Sequence, residues 1–379
     1  MKVPTYRWFL WAATLAAAAF FLVQSGYLSR GHANTASRGF DLLDSLMNHI
    51  RNDYLEVRDP VETAEGTFRG LVNSLDPLSA YLSPSLLEAY AAPRTGRETG
   101  PGISVLKRYA AFPQIAAVVE GSPAEEVGLE PGDLVSAIDG ANTLSMSLTE
   151  VKLLLAGGDE RPVDSRVLRG NDTHDYNVPR TVLFPEPFAF ERAQGRPARL
   201  RVHRFEAGLA SRLEREVVPA LKGRQGGLAL DLRGCQDGSL DEAVRVANLF
   251  AKAAVAGRFE GRGGAKETVS CPAEAALGAV PLVVWTDAGT LGPAELAAGI
   301  LQELGRAKVV GFKTAGLVGR SKLIPLKDDS AILLTSGIFS LPSGRKLWDD
   351  GIVPDAAIPF DQLDEKTYFE RTIALLPKL

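Results

Sequence analysis

The sequence predicts an α+β, multidomain chain: an N-terminal helical segment, a β-rich middle block with helices, and an α/β core. Three observations predict it. Apolar spacing changes kind along the chain, from three- and four-residue intervals before residue 90 to strand-like runs between 99 and 183, then to strand–helix alternation. A length of 379 residues, at roughly 150 per domain, asks for two or three domains. Gly and Pro supply 37 and 23 residues, which calls for many turns and short elements and excludes a helical bundle.

At the start, Lys2 and Arg7 precede an apolar run from Trp8 to Val23, broken only by Thr14. That run is long for a signal-peptide core and short for a membrane span. Continued to Leu28 it reaches spanning length, with Trp8, Trp11 and Tyr27 near the two interfaces. Residues 1–30 therefore read as a signal peptide or membrane anchor. An anchor at 8–28 is preferred, because neither Ser25 nor Ala33 offers a clean small-x-small cleavage site. The basic flank stays in the cytoplasm, so the rest is expected on the periplasmic or extracytoplasmic face.

Residues 37–95 are expected to form a helical domain. Leu42, Leu43, Leu46, Ile50 and Tyr54 mark one helix, Asp59-Pro60 breaks it, and a second runs from Glu62 to Leu75. Leu75 to Leu82 is read as a turn. In the block 99–183, strands are expected at Gln114–Val119 and within Gly132–Gly140, and a short helical turn at Pro123–Val127. Ser147-Leu148-Thr149-Glu150 offers an N-cap and a capping-box Glu, and Val167–Val178 a hairpin turning at Gly170-Asn171-Asp172. Residues 184–197, with Pro185 and Pro187, are a candidate linker.

From 198 to 360 strands are expected at Leu228–Leu232, Val280–Thr286 and Lys308–Gly311. Helices are expected at Leu240–Lys252 and Ala294–Leu304. Such βαβ units imply a parallel or mixed sheet. Residues 361–379 should end the chain in a helix.

Composition excludes several classes. Lys+Arg 42 against Asp+Glu 46 gives a net charge of −4 without basic blocks, so no nucleic-acid partner is expected. Four histidines without paired spacing argue against a metal, and no phosphate-cradling loop points to a cofactor. Cys235 and Cys271 are too few for a disulfide framework and leave one bridge open.

Several motifs then occur in one order. They are Ser74-Leu75-Asp76-Pro77 with Tyr81-Leu82, Gly121-Ser122-Pro123-Ala124-Glu125, Pro131-Gly132-Asp133, Ile138-Asp139-Gly140, Leu230-Asp231-Leu232-Arg233, Leu240-Asp241-Glu242-Ala243, Pro342-Ser343-Gly344-Arg345 and Gly351-Ile352-Val353-Pro354-Asp355. In this the chain resembles the carboxyl-terminal processing (tail-specific) proteases, exported serine peptidases with an inserted PDZ domain. The resemblance covers nearly everything after residue 37 and implies a crotonase-like spiral core.

The resemblance also implies a Ser nucleophile in a GSASASE-like run and a Lys base in a later FGKG. Here the first run reads Gly289-Thr290-Leu291-Gly292-Pro293-Ala294-Glu295, which puts Gly292 at the nucleophile position. The second reads Ala315-Gly316-Leu317-Val318, which puts Leu317 at the base, and Ser321 replaces the third member. The oxyanion donor implied after the nucleophile is Pro293, which has no N–H. In the loop resembling NNPGG, Asp237 replaces a glycine. No catalytic residue is therefore assigned. Thr290 and Lys313 are the candidate substitutes, with Cys235 and His203 a weaker pair, while Ser343 reads as a turn residue.

The middle block keeps what a PDZ groove needs: Gly102, Ile103, Ser104 and Val105 as carboxylate loop and strand, and Leu148, Val151 and Leu155 as the far wall or as core. The expectation is a non-cleaving protein that binds unfolded or C-terminal protein segments, self-associates as a homodimer or pairs with an active relative, and is held at the membrane by its N-terminal segment. The alternatives are a peptidase with an unusual nucleophile and a structural scaffold.

Overall fold

The computed structural model describes residues 38–376, apart from 40, 57, 58, 93–97, 158–160, 185, 193–195 and 222–225. The expected anchor at 8–28 lies outside the described residues. No helix among the described residues is long and apolar enough to cross a membrane.

The chain divides into two units, up to Thr67 and from Phe68 onward. The first holds helix α1 (41–53), in which Leu42 and Leu46 of the apolar stripe are exposed. Helix α2 (Pro60–Asn73) starts at the predicted Pro60 break. All that follows concerns the second unit.

The stretch read as a turn at 75–82 contains a turn and a strand. Asp76 accepts Leu78 and Ser79 amides at 2.9 Å and the Thr335 hydroxyl at 2.7 Å, an Asx turn that feeds β1 (Ala80–Leu82). Helix α3 (Pro84–Ala91) follows, capped by Ser83.

The PDZ block runs through β2 (Glu98–Gly100), β3 (Ile103–Leu106), β4 (Gln114–Val118), α4 (Pro123–Glu126), β5 (Leu134–Ile138), β6 (Ala141–Asn142), α5 (Leu148–Ala156), β7 (Val163–Arg169), β8 (Asp172–Val178) and β9 (Thr181–Phe184). Its sheet has the order β3-β4-β5-β7-β8, so β3 is an edge strand. The expected hairpin at Gly170 forms. Asp133 of the Pro-Gly-Asp turn is clamped by Arg169 at 2.7 Å. Ser147 caps α5 by accepting the Glu150 amide at 3.0 Å, but the Glu150 carboxylate turns to Arg69 at 3.3 Å.

The expected linker 184–197 is corrected: β10 (Phe188–Glu191) lies inside it and pairs with β11 (Ala198–Val202), with Phe188 buried in the main core. Beyond come α6 (Leu209–Glu216), α7 (Val218–Leu221), β12 (Leu228–Asp231), α8 (Leu240–Phe250), β13 (Ala253–Gly261), β14 (Lys266–Cys271), β15 (Leu282–Thr286), α9 (Pro293–Glu303), β16 (Lys308–Gly311), β17 (Gly319–Pro325), β18 (Ala331–Ser340), β19 (Ala356–Ala357) and α10 (Glu365–Leu375). The sheet β10-β11-β12-β15-β16-β19 is parallel from β11 onward. Leu228, Leu230, Leu282 and Val284 join α8 and α9 in the main core. The alternate residues Ala229, Val283 and Trp285 pack with Tyr368 of α10. Strands buried on both faces read as unbroken apolar runs, which is why these were legible. The antiparallel sheet of β1, β18, β13, β14 and β17 was not, since its strands carry mixed polar residues.

At the end of β12, Asp231 is wholly buried between Arg199 and Arg233 at 3.0 and 2.8 Å. Burial alone would raise its carboxyl, but the arginines hold it well below the usual carboxylate range. Arg233 lies over the rings of Trp285 and Tyr368 at 4.9 and 4.4 Å. Asp231→Ala would leave the Arg233 guanidinium without its carboxylate, while Arg199 keeps Glu365 at 2.7 Å, and should cost about 3 kcal/mol in urea unfolding. Because the folded pKa is depressed, this contribution is complete above the unfolded carboxylate pKa of about 4 and is lost as pH falls below it, so the wild-type–mutant gap should narrow towards pH 2.

Candidate functional site

The turn between β15 and α9 is a sharp elbow ending at Gly292, whose φ of 51° and ψ of −107° suit glycine. A Cβ built there meets nothing nearer than the Leu317 carbonyl at 3.9 Å. The two positions assigned from sequence to nucleophile and base therefore lie side by side. Neither carries a reactive group. Pro293 fills the first helical position, where a fixed φ favours the helix and the missing N–H costs it nothing.

One carboxylate ties these pieces together. Glu295, in the first turn of α9 and wholly buried, accepts the amides of Gly292 at 3.1 Å, Gly316 at 2.7 Å and Leu317 at 2.9 Å. Burial pushes its carboxyl up, against the pull of the Thr314 hydroxyl and these amides.

The other positions singled out from the sequence around this site have partners of their own or face solvent. The Gly234 amide donates to Asp287 at 3.0 Å and the Cys235 amide to Leu232 at 3.2 Å. Asp237 pairs with Lys152 of α5 at 2.7 Å. Ser321 is exposed on β17.

Of the candidate substitutes, Thr290 has a carboxylate in reach, Asp287 at 3.0 Å. Its hydroxyl also donates to the Leu232 carbonyl at 3.0 Å and accepts the Asp287 amide at 2.9 Å. With 0% of Thr290 exposed, that hydroxyl braces the elbow from within. Lys313 is exposed. Cys235 is buried in the main core, no disulfide joins it to Cys271, and burial pushes the Cys271 thiol up to about 11. His203, held by the Glu186 carbonyl at 3.0 Å, is lowered by burial to about 4 and is neutral at pH 7. Ser343 accepts the Arg345 amide in its turn.

In the PDZ block, Ile103 is registered with Val118 while the Val119 amide donates to Gly102 at 2.8 Å. Ile103 is thus a non-hydrogen-bonded pair, so its own N–H and C=O point to the free edge of β3, as strand addition requires. Val105 is core. Leu148 and Leu155 border the cleft beside β3, whereas Val151 is fully buried inside the domain.

Sequence reasoning missed that this domain sits on the elbow. Leu291 and Leu317 belong to the PDZ hydrophobic cluster, not to the main core. Ser104 donates to the Gly234 carbonyl at 3.2 Å. A Cβ at Gly289 would stand 3.0 Å from those of both Ser104 and Ala117, so glycine is what lets the surfaces meet. Between them a cleft of about 1600 Å³ runs from Gly102–Val105 and from Leu148, Lys152 and Leu155 past Asp237 to Gly292, Pro293 and Leu317. Lys152 gave no sequence signal, since a lysine on a helix is ordinary until its partner is known.

Residues 197–358 match the sequence profile of peptidase family S41, and residues 114–169 that of a PDZ domain. The chain is 28% identical over 332 residues to a carboxyl-terminal-processing protease of Synechocystis, covering 83% of this chain and 77% of the relative. It is 25% identical to a probable CtpA-like serine protease of Staphylococcus aureus, covering 86% of this chain and 66% of that one. The solved photosystem II D1 C-terminal processing protease shares the fold at a TM-score of 0.69 and 23% identity, over 84% of this chain and 86% of that one.

Glu295→Ala should strand three buried amides and lower stability by about 3 kcal/mol, read as a reduced Tm. Glu295→Gln keeps one acceptor oxygen and should lose less.

Proposed function

Because the chain belongs to the carboxyl-terminal processing protease family, we propose that it is a non-cleaving member that holds peptides or protein C-termini. The observation that carries this reading is the elbow itself. Gly292 offers no nucleophile, Leu317 no proton acceptor and Pro293 no oxyanion donor, while Glu295 keeps the framework that would have aligned them. Losing a single oxyanion donor costs about 10²–10³ in rate in other serine hydrolases. The free edge of β3 and the cleft beside it support peptide capture. The apolar run Trp8–Val23 behind Lys2 and Arg7 supports placing the domains on the exported side, anchored by 8–28. Partners would be unfolded or C-terminal segments, with a second copy or an active relative as further candidates.

The purified protein should neither turn over an unstructured substrate nor react with a broad serine-hydrolase probe. Gly292→Ser alone should stay inert, because catalytic groups act as a unit. Gly292→Ser with Pro293→Ala and Leu317→Lys is the smallest set expected to restore slow cleavage. Turnover by the unmodified protein that disappears in Thr290→Ala would instead establish a threonine nucleophile braced by Asp287.

Peptide capture is tested separately. A labelled peptide with a free apolar C-terminus should bind, and both amidation and Ile103→Asp should weaken it. Equal binding of free and amidated peptides would remove the carboxylate reading.

A further inference from the structure

The first turn of α5 is gripped from behind by the last turn of α2. Arg69 of α2 reaches the Glu150 carboxylate at 3.3 Å, two residues beyond Leu148. Asn73, one turn further along α2, donates its side-chain amide to the Ser145 carbonyl at 3.1 Å, in the segment that leads into α5. At 3.6 residues per turn, Glu150 stands about 200° round the helix from Leu148. Arg69 therefore holds the face turned away from the cleft, while Leu148 borders the cleft itself.

The grip is backed from both sides. The Asn73 side-chain oxygen accepts the Tyr81 amide at 3.1 Å, and Tyr81 lies on β1, which is paired with β18. Lys107, directly after β3, donates its ammonium to the Leu144 carbonyl at 3.1 Å, so the same segment is also tied to the groove's strand. Glu150 is 4% exposed, and burial pushes its carboxyl up against the pull of Arg69 and Lys107, the two cations that face it. Ser147 caps the turn, but a cap satisfies the helix's own amide and does not set its distance from β3.

The grip also falls at one end of the groove. Thr99, ahead of Gly102, donates its hydroxyl to the Ala156 carbonyl at the end of α5 at 3.2 Å, whereas Lys107, beyond β3, reaches Leu144 ahead of α5. The helix therefore runs antiparallel to β3. A peptide with its carboxylate at Gly102 and its chain along β3 would pass Leu155 with its last residues and Leu148 with earlier ones. The four residues of β3 make about 13 Å of strand, so three peptide residues stop short of its end and six pass it.

We propose that Arg69 is a positioning residue for this groove: through Glu150 it fixes the first turn of α5, and with it the half of the groove that reads residues upstream of a bound C-terminus. The peptide part rests on the peptide-binding reading above; the buttress itself does not.

The test uses the full chain and hydrogen exchange of 143–151 against 102–106. Arg69→Met keeps length without charge, Glu150→Gln keeps shape without charge, and Arg69→Lys keeps the charge. The first two variants should exchange about fivefold faster over 143–151 with 102–106 unchanged, and Arg69→Lys should stay near the wild type. Tm values within a few degrees of one another would show that the variants fold, and Glu150→Gln carries the same test if Arg69→Met does not fold. Exchange over 143–151 equal to the wild type, or as fast in Arg69→Lys as in Arg69→Met, would overturn the buttress.

Two labelled peptides of three and six residues, sharing a free apolar C-terminus, then read the groove. In Arg69→Met the longer should bind about fivefold more weakly and the shorter as before, while amidation weakens both as much as in the wild type. Affinity unchanged for both lengths, or reduced equally for both, would overturn the upstream assignment. No binding to any form, wild type included, with the exchange pattern as expected, would remove the peptide-binding reading and leave the buttress standing.

Discussion

The site depends on the buried carboxylate of Glu295. A helix N-terminus presents orphan amides, and a carboxylate in its first turn is a natural acceptor for one of them. Here the same carboxylate also takes the amides of Gly316 and Leu317, which lie twenty-one and twenty-two residues further on. It thereby fixes the elbow against the loop that would carry the base. Remove it and the tight φ/ψ of Gly292, the start of α9 and the position of Leu317 would have nothing in common to hold them.

Within that frame, the residues at the positions assigned to nucleophile, oxyanion donor and base are compatible with ordinary structural chemistry. Pro293 suits the first position of a helix. Leu317 is apolar where it meets the PDZ cluster, and Asp237 is charged where it meets Lys152. An amine in place of Leu317 would have to be desolvated against that cluster, the condition a lysine base requires and one that costs stability. A leucine there removes that cost. The elbow is held by bonds of Glu295, Asp287 and Thr290, none of which involves the side chain at 292, 293 or 317.

The closeness of the two domains also explains why several small residues cluster along their boundary. Gly289 allows Ser104 and Ala117 to approach, and Gly234 offers a carbonyl to Ser104. The cleft that remains joins the PDZ edge strand to the elbow, so a peptide bound at one would lie on the way to the other.

Much of this was present in the primary structure. Apolar runs such as Leu228–Asp231 and Leu282–Thr286 can be read because strands covered on both faces leave no polar alternation. Capping residues such as Ser147, and turn residues such as Gly170, act on their own neighbours and so are legible locally. The order of motifs identified the PDZ and protease-like blocks, and their register put Gly292 beside Leu317 before any coordinates. Strands β1, β10, β14 and β17 escaped because they are short or mixed in polarity and gain their pairing from distant partners, as Ala80–Leu82 does from Ala331–Leu333. The pairing of Lys152 with Asp237, the gathering of three amides by Glu295, and the burial of Leu317 under the PDZ domain were decided only in three dimensions. Each joins residues far apart in sequence, and a side chain's charge or apolarity does not reveal which distant surface will meet it.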